Sequence, residues 1–235
     1  RQDLAVNDLK RYGIKSILIE EYSEITTILK NIEYRYKKRT IFISGSAETY
    51  VPFNKKEAAG FVHKLSKMLI EKDYRIVNGF GWGIGSSVIN GSLDAIYQNP
   101  MKYSENQLIL KPFPQFETGE KSIPDLWEDY RQNMISKCGI SLFVFGNKKD
   151  DDKIIVANGV IREFEIAKEK GCICIPIGLT NYAAKEIFEL ISKKPEDYYE
   201  DTDKVMPLLK ELSDKSTSLN DALKIIIKLL NQFKR

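Results

Sequence analysis

The sequence has little of several features that mark particular classes of protein. It contains three cysteines and a single histidine, and the cysteines lack the spacing of a metal site. No apolar run approaches the about 20 residues that a membrane-spanning helix needs. The 36 basic and 33 acidic residues leave a net charge of +3, so no basic excess indicates a nucleic-acid-binding protein. These shortages argue against a metal protein, a membrane protein and a nucleic-acid binder.

The few residues of these scarce types have ordinary structural explanations. Cys138, Cys172 and Cys174 are expected to be small buried hydrophobes in a reducing cytosol. His63 lies just off the apolar stripe of a predicted helix, so we expect a structural or solvated histidine rather than a zinc ligand or part of a Ser-His-Asp triad. The chain begins with neither an initiator Met nor a signal peptide, so we expect a piece of a longer cytoplasmic protein.

Extended and helical patterns alternate along the whole chain. The extended patterns lie at 14–20, 41–44, 75–79, 106–113, 140–146 and 172–178. The helical patterns lie at 22–36, 54–72, 84–98, 125–138, 158–171, 183–192 and 218–233. Such alternation, with strands as apolar as ISLFVFG, predicts an α/β fold with a Rossmann-like parallel sheet and helices on both faces.

A charged joint, KKRT at 37–40, divides the chain. The strand and helix predicted within residues 1–36 are too few to build a core, so we expect them to be the end of a preceding domain. Residues 37–235 are predicted to form one domain. Its last helix, 218–233, is clearly amphipathic and is expected to pack either on its own domain or on a neighbouring copy.

The stretch NGFGWGIGSS, residues 78–87, places glycine at every second position between a predicted strand and a helix. It is neither a Walker A loop nor a dinucleotide fingerprint. Either its backbone N–H groups cradle a phosphate, or its glycines allow tight helix–sheet packing. Trp82 favours the first explanation, because an exposed indole is costly unless it stacks on something. Ligands of parallel sheets bind at the carboxyl ends of the strands. The candidate ligand-binding residues in these loops are Gly45, Ser46, Gly79, Phe80, Gly81, Trp82 and Gly83.

Three charged residues farther along the chain are further candidates for ligand binding. Arg131 borders the apolar stripe of its helix, where it could reach solvent, pair with Glu128 or clamp a phosphate. Lys148 follows the most apolar strand in GNKKDDDK, near the expected ligand site or in an ordinary solvated loop. Glu163 is expected in the first turn of a helix, where it could stabilise the helix dipole or accept hydrogen bonds from ribose.

Taken in order, IFISGSA, VNGFGWGIGSSVINGSLDA and ANGVIREFEIAKEKG resemble the SLOG superfamily of Rossmann-like nucleotide-binding domains, which includes DprA and the LOG proteins. The resemblance covers about residues 39–195. LOG enzymes are nucleoside monophosphate phosphoribohydrolases that carry Pro-Gly-Gly-x-Gly-Thr-x-x-Glu. Here only Gly159 and Glu163 match that motif, and residues 160–162 replace its glycine-threonine segment. The resemblance implies nucleotide binding without hydrolysis. A LOG-like phosphoribohydrolase is the alternative, and single-stranded DNA binding is a third hypothesis that the near-neutral charge weakens.

The segment LKRYGIKSILIEEYSEITTILKNI is similar to the closing strand and helix of bacterial sirtuin-like NAD-hydrolase domains. A sirtuin-like NADase followed by a SLOG domain is the architecture of effectors of the Thoeris antiphage system. The resemblance implies that the domain senses a cyclic ADP-ribose isomer (glycocyclic ADP-ribose) made by a TIR-domain partner. Arg131 and Lys148 would then neutralise its pyrophosphate, and Glu163 would hold a ribose. The resemblance also implies a homo-oligomer in the bacterial cytoplasm, as a dimer of SLOG domains and a tetramer at full length, with no catalytic residue or metal in this fragment.

Overall fold

The computed structural model describes residues 2–19, 21–117 and 119–233. The chain divides into two compact units, with the division between Tyr36 and Lys37. Within the described ranges, no helix is long and apolar enough to span a membrane.

The first unit contains helix α1, Gln2–Arg11, which the sequence analysis missed, and most of helix α2, Ser23–Lys38. The helix predicted at 22–36 is confirmed, and it continues into the charged joint. The strand predicted at 14–20 is wrong: residues 14–19 form no strand, and residue 20 lies outside the described residues. Strands need a hydrogen-bonded neighbour, and the described part of this unit offers no second strand. The apolar side chains of Ile17 and Leu18 are 56% and 57% exposed.

The second unit is built on a five-stranded sheet in which all paired neighbours are parallel, so the predicted fold class is confirmed. Its strands are β1 Thr40–Ser46, β2 Arg75–Asn78, β3 Leu108–Leu110, β4 Ile140–Phe145 and β7 Ile173–Pro176. They are ordered β3-β2-β1-β4-β7. All six residues of β4 are buried, as expected for an apolar interior strand of a parallel sheet. A separate antiparallel hairpin consists of β5 Asn147–Asp150 and β6 Lys153–Val156.

Seven helices that begin after β1 complete the described part of this unit. They are α3 Lys55–Glu71, α4 Gly85–Gln98, α5 Ile123–Ile135, α6 Asn158–Glu169, α7 Tyr182–Lys193, α8 Thr202–Ser213 and α9 Leu219–Gln232. Helices α3 and α4 contact each other, and so do α5 and α6. The chain crosses the sheet in one direction through α3 and α4 and in the other through α5 and α6. Right-handed crossovers therefore place the two pairs on opposite faces.

Local sequence explains where several of these helices begin, end and cross. Asn54 starts α3 with a capping box, in which its side chain accepts from the Glu57 N–H and Glu57 accepts from the Asn54 N–H. Gly171, with φ of 69°, follows α6 as the expected stop. A Cβ on Gly91 of α4 would lie 2.1 Å from the His63 carbonyl oxygen of α3, so glycine permits this close crossing.

Buried side chains confirm two expectations about the second unit. The three cysteines are buried and free, and burial raises the pKa of Cys172 to about 11. Helix α9 is amphipathic as predicted, and its residues Ala222, Ile225, Ile226, Leu229 and Leu230 are buried in this unit. The apolar face of α9 therefore packs on its own domain, and it no longer supports self-association.

Candidate ligand site at the carboxyl edge of the sheet

The site lies where the strand order of the sheet reverses. From β1 the chain proceeds through β2 to β3 on one side and then returns to β4 on the other side of β1. The carboxyl ends of β1 and β4 are in register, with Ser44 beside Phe143 and Ser46 beside Phe145. In open α/β sheets, ligands bind outside the strand ends at such a reversal. The residues around this crevice are therefore the candidates for function.

Helices α5 and α6 bring Arg131 and Glu163 together, although the two residues are far apart in sequence. The Arg131 Nε atom lies 3.6 Å from Glu163 Oε1, and the two side chains are 15% and 9% exposed. The Ser44 hydroxyl of β1 donates a hydrogen bond of 2.5 Å to Glu163 Oε2. The expected juxtaposition of a cation and a carboxylate at the strand ends is thus present in the structure.

The two charges of this pair are incompletely satisfied. Burial raises the pKa of Glu163, while the Ser44 hydrogen bond and the Arg131 charge act in the opposite direction. Arg131 Nε is buried and has no hydrogen-bond partner within the described part of the chain. The Arg131 guanidinium carbon lies 5.1 Å from the centre of the Phe113 ring, close enough for a cation–π contact. A buried donor without an acceptor is costly, which makes Arg131 a candidate for contact with a ligand acceptor.

The local place of Glu163 differs from the expectation. Helix α6 begins at Asn158, so Glu163 lies in the second turn and not in the first. The helix dipole acts mainly within the first turn, and the neighbours of Glu163 are Ser44 and Arg131 instead.

The segment that departs from the LOG motif has a structural role. Arg162 donates to Glu128 Oε1 over 2.7 Å and to Glu165 over 2.9 Å. Glu128, one of the partners considered for Arg131, is therefore bound by Arg162, whose hydrogen bonds hold the pKa of Glu128 below its ordinary value. A Cβ on Gly159 would lie 2.9 Å from Arg131 Nη2, so a side chain there would crowd the guanidinium.

The glycines of the loop that follows β2 allow close backbone contact with β1. A Cβ on Gly81 would lie 2.0 Å from the Gly45 carbonyl oxygen. Gly83, with φ of 76°, would place a Cβ 2.0 Å from the Ala47 carbonyl oxygen. Gly45 itself approaches the Val144 carbonyl oxygen, with its virtual Cβ at 2.2 Å. Tight packing therefore accounts for these glycines, whether or not they also contact a ligand.

The loop after β1 begins later than expected. Gly45 and Ser46 are the last residues of β1 and pair with β4, so the loop starts at Ala47. The Ala47 N–H donates to the Trp82 carbonyl oxygen over 2.8 Å. The Ser46 hydroxyl donates to the Asn147 carbonyl oxygen over 2.9 Å. These bonds join the loop after β1 to the glycine loop, and the end of β1 to the hairpin.

Two aromatic side chains of the glycine loop are open to solvent. Phe80 is 51% and Trp82 is 72% exposed. The Trp82 indole N–H donates to Glu48 Oε2 over 2.9 Å, so its polar atom has a partner while its ring faces solvent. Phe80 has a φ of 59°, and its N–H donates to Asn78 Oδ1 over 2.8 Å.

Gly79 is buried, and a Cβ there would lie 2.7 Å from the Phe113 ring.

Lys148 lies in a different setting from the other two charged candidates. The segment expected to be a polar loop is the β5–β6 hairpin, in which Lys148 pairs with Ile155. The charge run hides this hairpin in the sequence, because its side chains carry no alternation of apolar and polar residues. Lys148 is exposed, whereas Arg131 and Glu163 are largely buried.

Sequence reasoning missed the two buried amides that organise these loops. Asn147 is fully buried, and its Oδ1 accepts from the N–H groups of Glu48 and Thr49 at 2.9 and 3.0 Å. The Asn78 side chain donates to the Ile43 carbonyl oxygen over 2.9 Å. Both residues come at the end of an apolar run. An amide side chain at that place is the feature of the sequence that could have identified them. Ser44 and Phe113 were also missed, since nothing local distinguishes them.

Comparison with known proteins identifies the family. The model of the Sir2- and TIR-associating SLOG family, STALD, matches residues 24–233. The chain belongs to the STALD family. The expected membership of the SLOG superfamily is thereby confirmed, along with the Rossmann-like fold.

The STALD chain is similar to several proteins named NAD(+) hydrolase ThsA. It is 40% identical over 231 residues to that of Bacillus cereus (strain MSX-D12), covering 98% of this chain and 48% of the relative. It is 39% identical over 232 residues to that of Cytobacillus dafuensis, covering 98% and 47%. It is 34% identical over 238 residues to that of Acinetobacter baumannii (strain 532279), covering 99% and 48%. The chain thus spans about half the length of these relatives.

Proposed function

We propose that this STALD domain is a regulatory sensor that binds a cyclic ADP-ribose isomer and thereby activates a linked sirtuin-like NADase in antiphage defence. The family description associates such domains with Sir2 and TIR domains, and the similar proteins are named NAD(+) hydrolases. Because the chain spans about half of their length, the linked NADase is part of the proposal.

The observation that carries the proposal is the Arg131–Glu163 pair at the strand-order reversal. Arg131 offers a buried Nε donor that has no acceptor among the described residues, and a phosphate oxygen would satisfy it. Glu163 offers carboxylate oxygens to ribose hydroxyls. A ligand with a pyrophosphate and two riboses matches this combination of a cation and an acceptor.

The loops around the pair supply the remaining features of a nucleotide site. We propose that Lys148 of the hairpin contributes a second positive charge, and that backbone N–H groups of Gly45, Ser46 and the 79–83 loop help to cradle the phosphates. The exposed rings of Phe80 and Trp82 provide an apolar wall on which a base could stack.

The same geometry favours binding over catalysis. A glycosidic hydrolase needs a positioned acid or nucleophile with suitable partners. Glu163 is held by the Ser44 hydroxyl and lies 3.6 Å from Arg131, and Arg162 is occupied by Glu128 and Glu165. We therefore propose that this domain has no catalytic residue, and that a LOG-like phosphoribohydrolase is the alternative to exclude.

We further propose that a TIR-domain partner makes the signal in the bacterial cytoplasm, and that binding rearranges a homo-oligomer, as a dimer of STALD domains and a tetramer of the full-length protein. This part is supported by family resemblance. Sedimentation velocity with and without ligand tests it, and a monomer under both conditions would contradict it.

A thermal-shift titration tests the proposed function. Glycocyclic ADP-ribose is compared with AMP, linear ADP-ribose and NAD. A ligand that binds only the folded state, at about 100 times its Kd, should stabilise the protein by about 2.7 kcal/mol. We expect a raised melting temperature with the cyclic compound alone. A shift with AMP, accompanied by released adenine, would favour the phosphoribohydrolase instead.

A further inference from the structure

Arg131 and Glu163 are farther apart than a hydrogen-bonded guanidinium–carboxylate pair, although their opposite charges favour a closer contact. Charge-assisted hydrogen bonds between guanidinium and carboxylate groups span about 2.7–2.9 Å, whereas Arg131 Nε and Glu163 Oε1 are 3.6 Å apart. The Nε atom is buried and has no hydrogen-bond partner in the described ranges. Closing the gap would satisfy this donor, so other residues must hold the two side chains apart.

Each member of the pair is held by a third group. Glu163 Oε2 accepts a 2.5 Å hydrogen bond from Ser44, and Ser44 is 1% exposed on the central strand β1. Arg131 packs against the Phe113 ring, with its guanidinium carbon 5.1 Å from the ring centre. The anchor on Glu163 is the more directional of the two, because a hydrogen bond from a fixed strand sets the position of one carboxylate oxygen.

We infer that the Ser44 hydroxyl is a positioning group that keeps Glu163 from closing onto Arg131, so that the Arg131 guanidinium remains available to an anionic ligand. The ligand-binding half of this inference rests on the proposed function. Without the hydroxyl, the carboxylate is free to rotate and pair bidentately with the guanidinium. An incoming phosphate would then have to displace that carboxylate before it could bind.

The first experiment needs no ligand. The arginine Nε–Hε signals are recorded by NMR in the wild type, in Ser44→Ala and in Ser141→Ala, with Arg131→Lys used to assign the Arg131 signal. Ser141 is a fully buried serine on the neighbouring strand β4, and its hydroxyl has no hydrogen-bond partner among the described residues, so Ser141→Ala controls for the loss of a buried hydroxyl that does not contact Glu163. We expect only Ser44→Ala to move the Arg131 signal downfield and to slow its exchange with water severalfold. An unchanged Arg131 signal in Ser44→Ala would overturn the inference.

The second experiment is a double-mutant cycle of affinity. Calorimetric titration with glycocyclic ADP-ribose compares the wild type, Ser44→Ala, Glu163→Gln and the double variant. We expect Ser44→Ala to weaken binding about tenfold and to cause no further loss in the Glu163→Gln background, because the neutral amide cannot form the competing ion pair. An equal loss in both backgrounds would overturn the inference.

The two experiments separate failure of this inference from failure of the proposed function. If the wild type binds none of the cyclic compound, the proposed function is wrong, and the ligand-free NMR comparison still decides the role of Ser44. If the wild type binds and the Arg131 signal is unaffected by Ser44→Ala, the function stands and the positioning role is wrong.

Discussion

Helices α5 and α6 are joined by two ion pairs of similar composition and opposite character. In the first pair, Arg162 makes hydrogen bonds to both carboxylate oxygens of Glu128, the shortest of 2.7 Å, and both side chains are 37% exposed. In the second pair, Arg131 and Glu163 are 15% and 9% exposed and remain 3.6 Å apart. The pair with complete hydrogen bonds, Arg162–Glu128, is partly exposed, and the pair with an unpartnered donor, Arg131–Glu163, is largely buried.

This difference separates a structural contact from a candidate binding site. A partly exposed, fully hydrogen-bonded pair joins two helices and leaves no capacity for a ligand. A buried pair with an unmatched donor destabilises the unliganded protein, and a ligand that supplies the missing acceptor recovers that cost. The pKa values of the two carboxylates are also shifted in opposite directions: that of Glu128 is lowered and that of Glu163 is raised.

Removal of the inner carboxylate should have the largest effect. Glu163→Ala deletes the proposed ribose acceptor and leaves the Arg131 charge without its neighbour, so we expect glycocyclic ADP-ribose to bind about 100-fold more weakly. Titration calorimetry measures this, and circular dichroism checks that the fold is retained. Glu165→Ala, which removes an exposed carboxylate of the same helix, is the matched control. Equal affinities for the two variants would contradict the assignment of the inner pair.

Loss of the exposed indole should have an intermediate effect. Stacking on an aromatic side chain contributes about 1–3 kcal/mol per base, so Trp82→Ala should weaken ligand binding about tenfold. Tyr97→Ala removes another aromatic side chain, 62% exposed on α4, and should leave the affinity unchanged. Calorimetry with the same compound compares them. If Trp82→Ala binds like the wild type, Trp82 does not form part of the site.

Removal of the outer pair should reduce stability more than affinity. Arg162→Ala should lower the free energy of unfolding by about 1 kcal/mol, the upper range for partly exposed ion pairs. Its ligand affinity should change by less than about threefold. Urea denaturation and calorimetry give the two numbers, and Glu128→Ala with the double variant completes the cycle. A loss of affinity as large as that of Glu163→Ala would remove the distinction between the two pairs.

The smallest expected effect is on the pH dependence of stability. The raised pKa of Glu163 means that the folded state binds its proton more tightly than the unfolded state, so its contribution to stability is present at low pH and is lost as pH rises through the folded pKa. The lowered pKa of Glu128 contributes stability above the unfolded pKa that is lost as pH falls through the folded pKa.

Urea denaturation of two variants across pH measures these contributions. Relative to Glu163→Gln, the wild type should lose stability as pH rises from the ordinary glutamate range. Relative to Glu128→Gln, it should lose stability as pH falls below that range. If the stability difference from the wild type depended on pH in the same way for both variants, the pKa values of the two carboxylates would not be shifted in opposite directions.

Much of the second unit was predictable, because its elements are specified by local patterns. The apolar run of β4 and the glycine stop of α6 locate a buried strand and a helix end directly. Helix α8 was missed because Pro207 interrupts its interior, and the β5–β6 hairpin was missed because its charged residues hide the strand pattern. The strand predicted at 14–20 was wrong, because an apolar run with a strand pattern forms no strand without a neighbouring strand to pair with.

The sequence points to Arg131 and Glu163 but not to the residues that support them. Arg131 and Glu163 are identified by type and by place along the chain, and the structure brings them to 3.6 Å. Ser44, which holds Glu163, lies 119 residues away from it, and a single serine in a strand carries no local signal. The contact of Phe113 with Arg131 likewise depends on tertiary packing, which one sequence does not reveal.

The most direct test is a calorimetric titration of the wild type and of Arg131→Ala with glycocyclic ADP-ribose under identical conditions. We predict saturable binding by the wild type and an affinity about 100-fold weaker for the variant, because the buried guanidinium is the proposed phosphate ligand. Equal binding by the two proteins would show that the open ion pair between α5 and α6 is not the site.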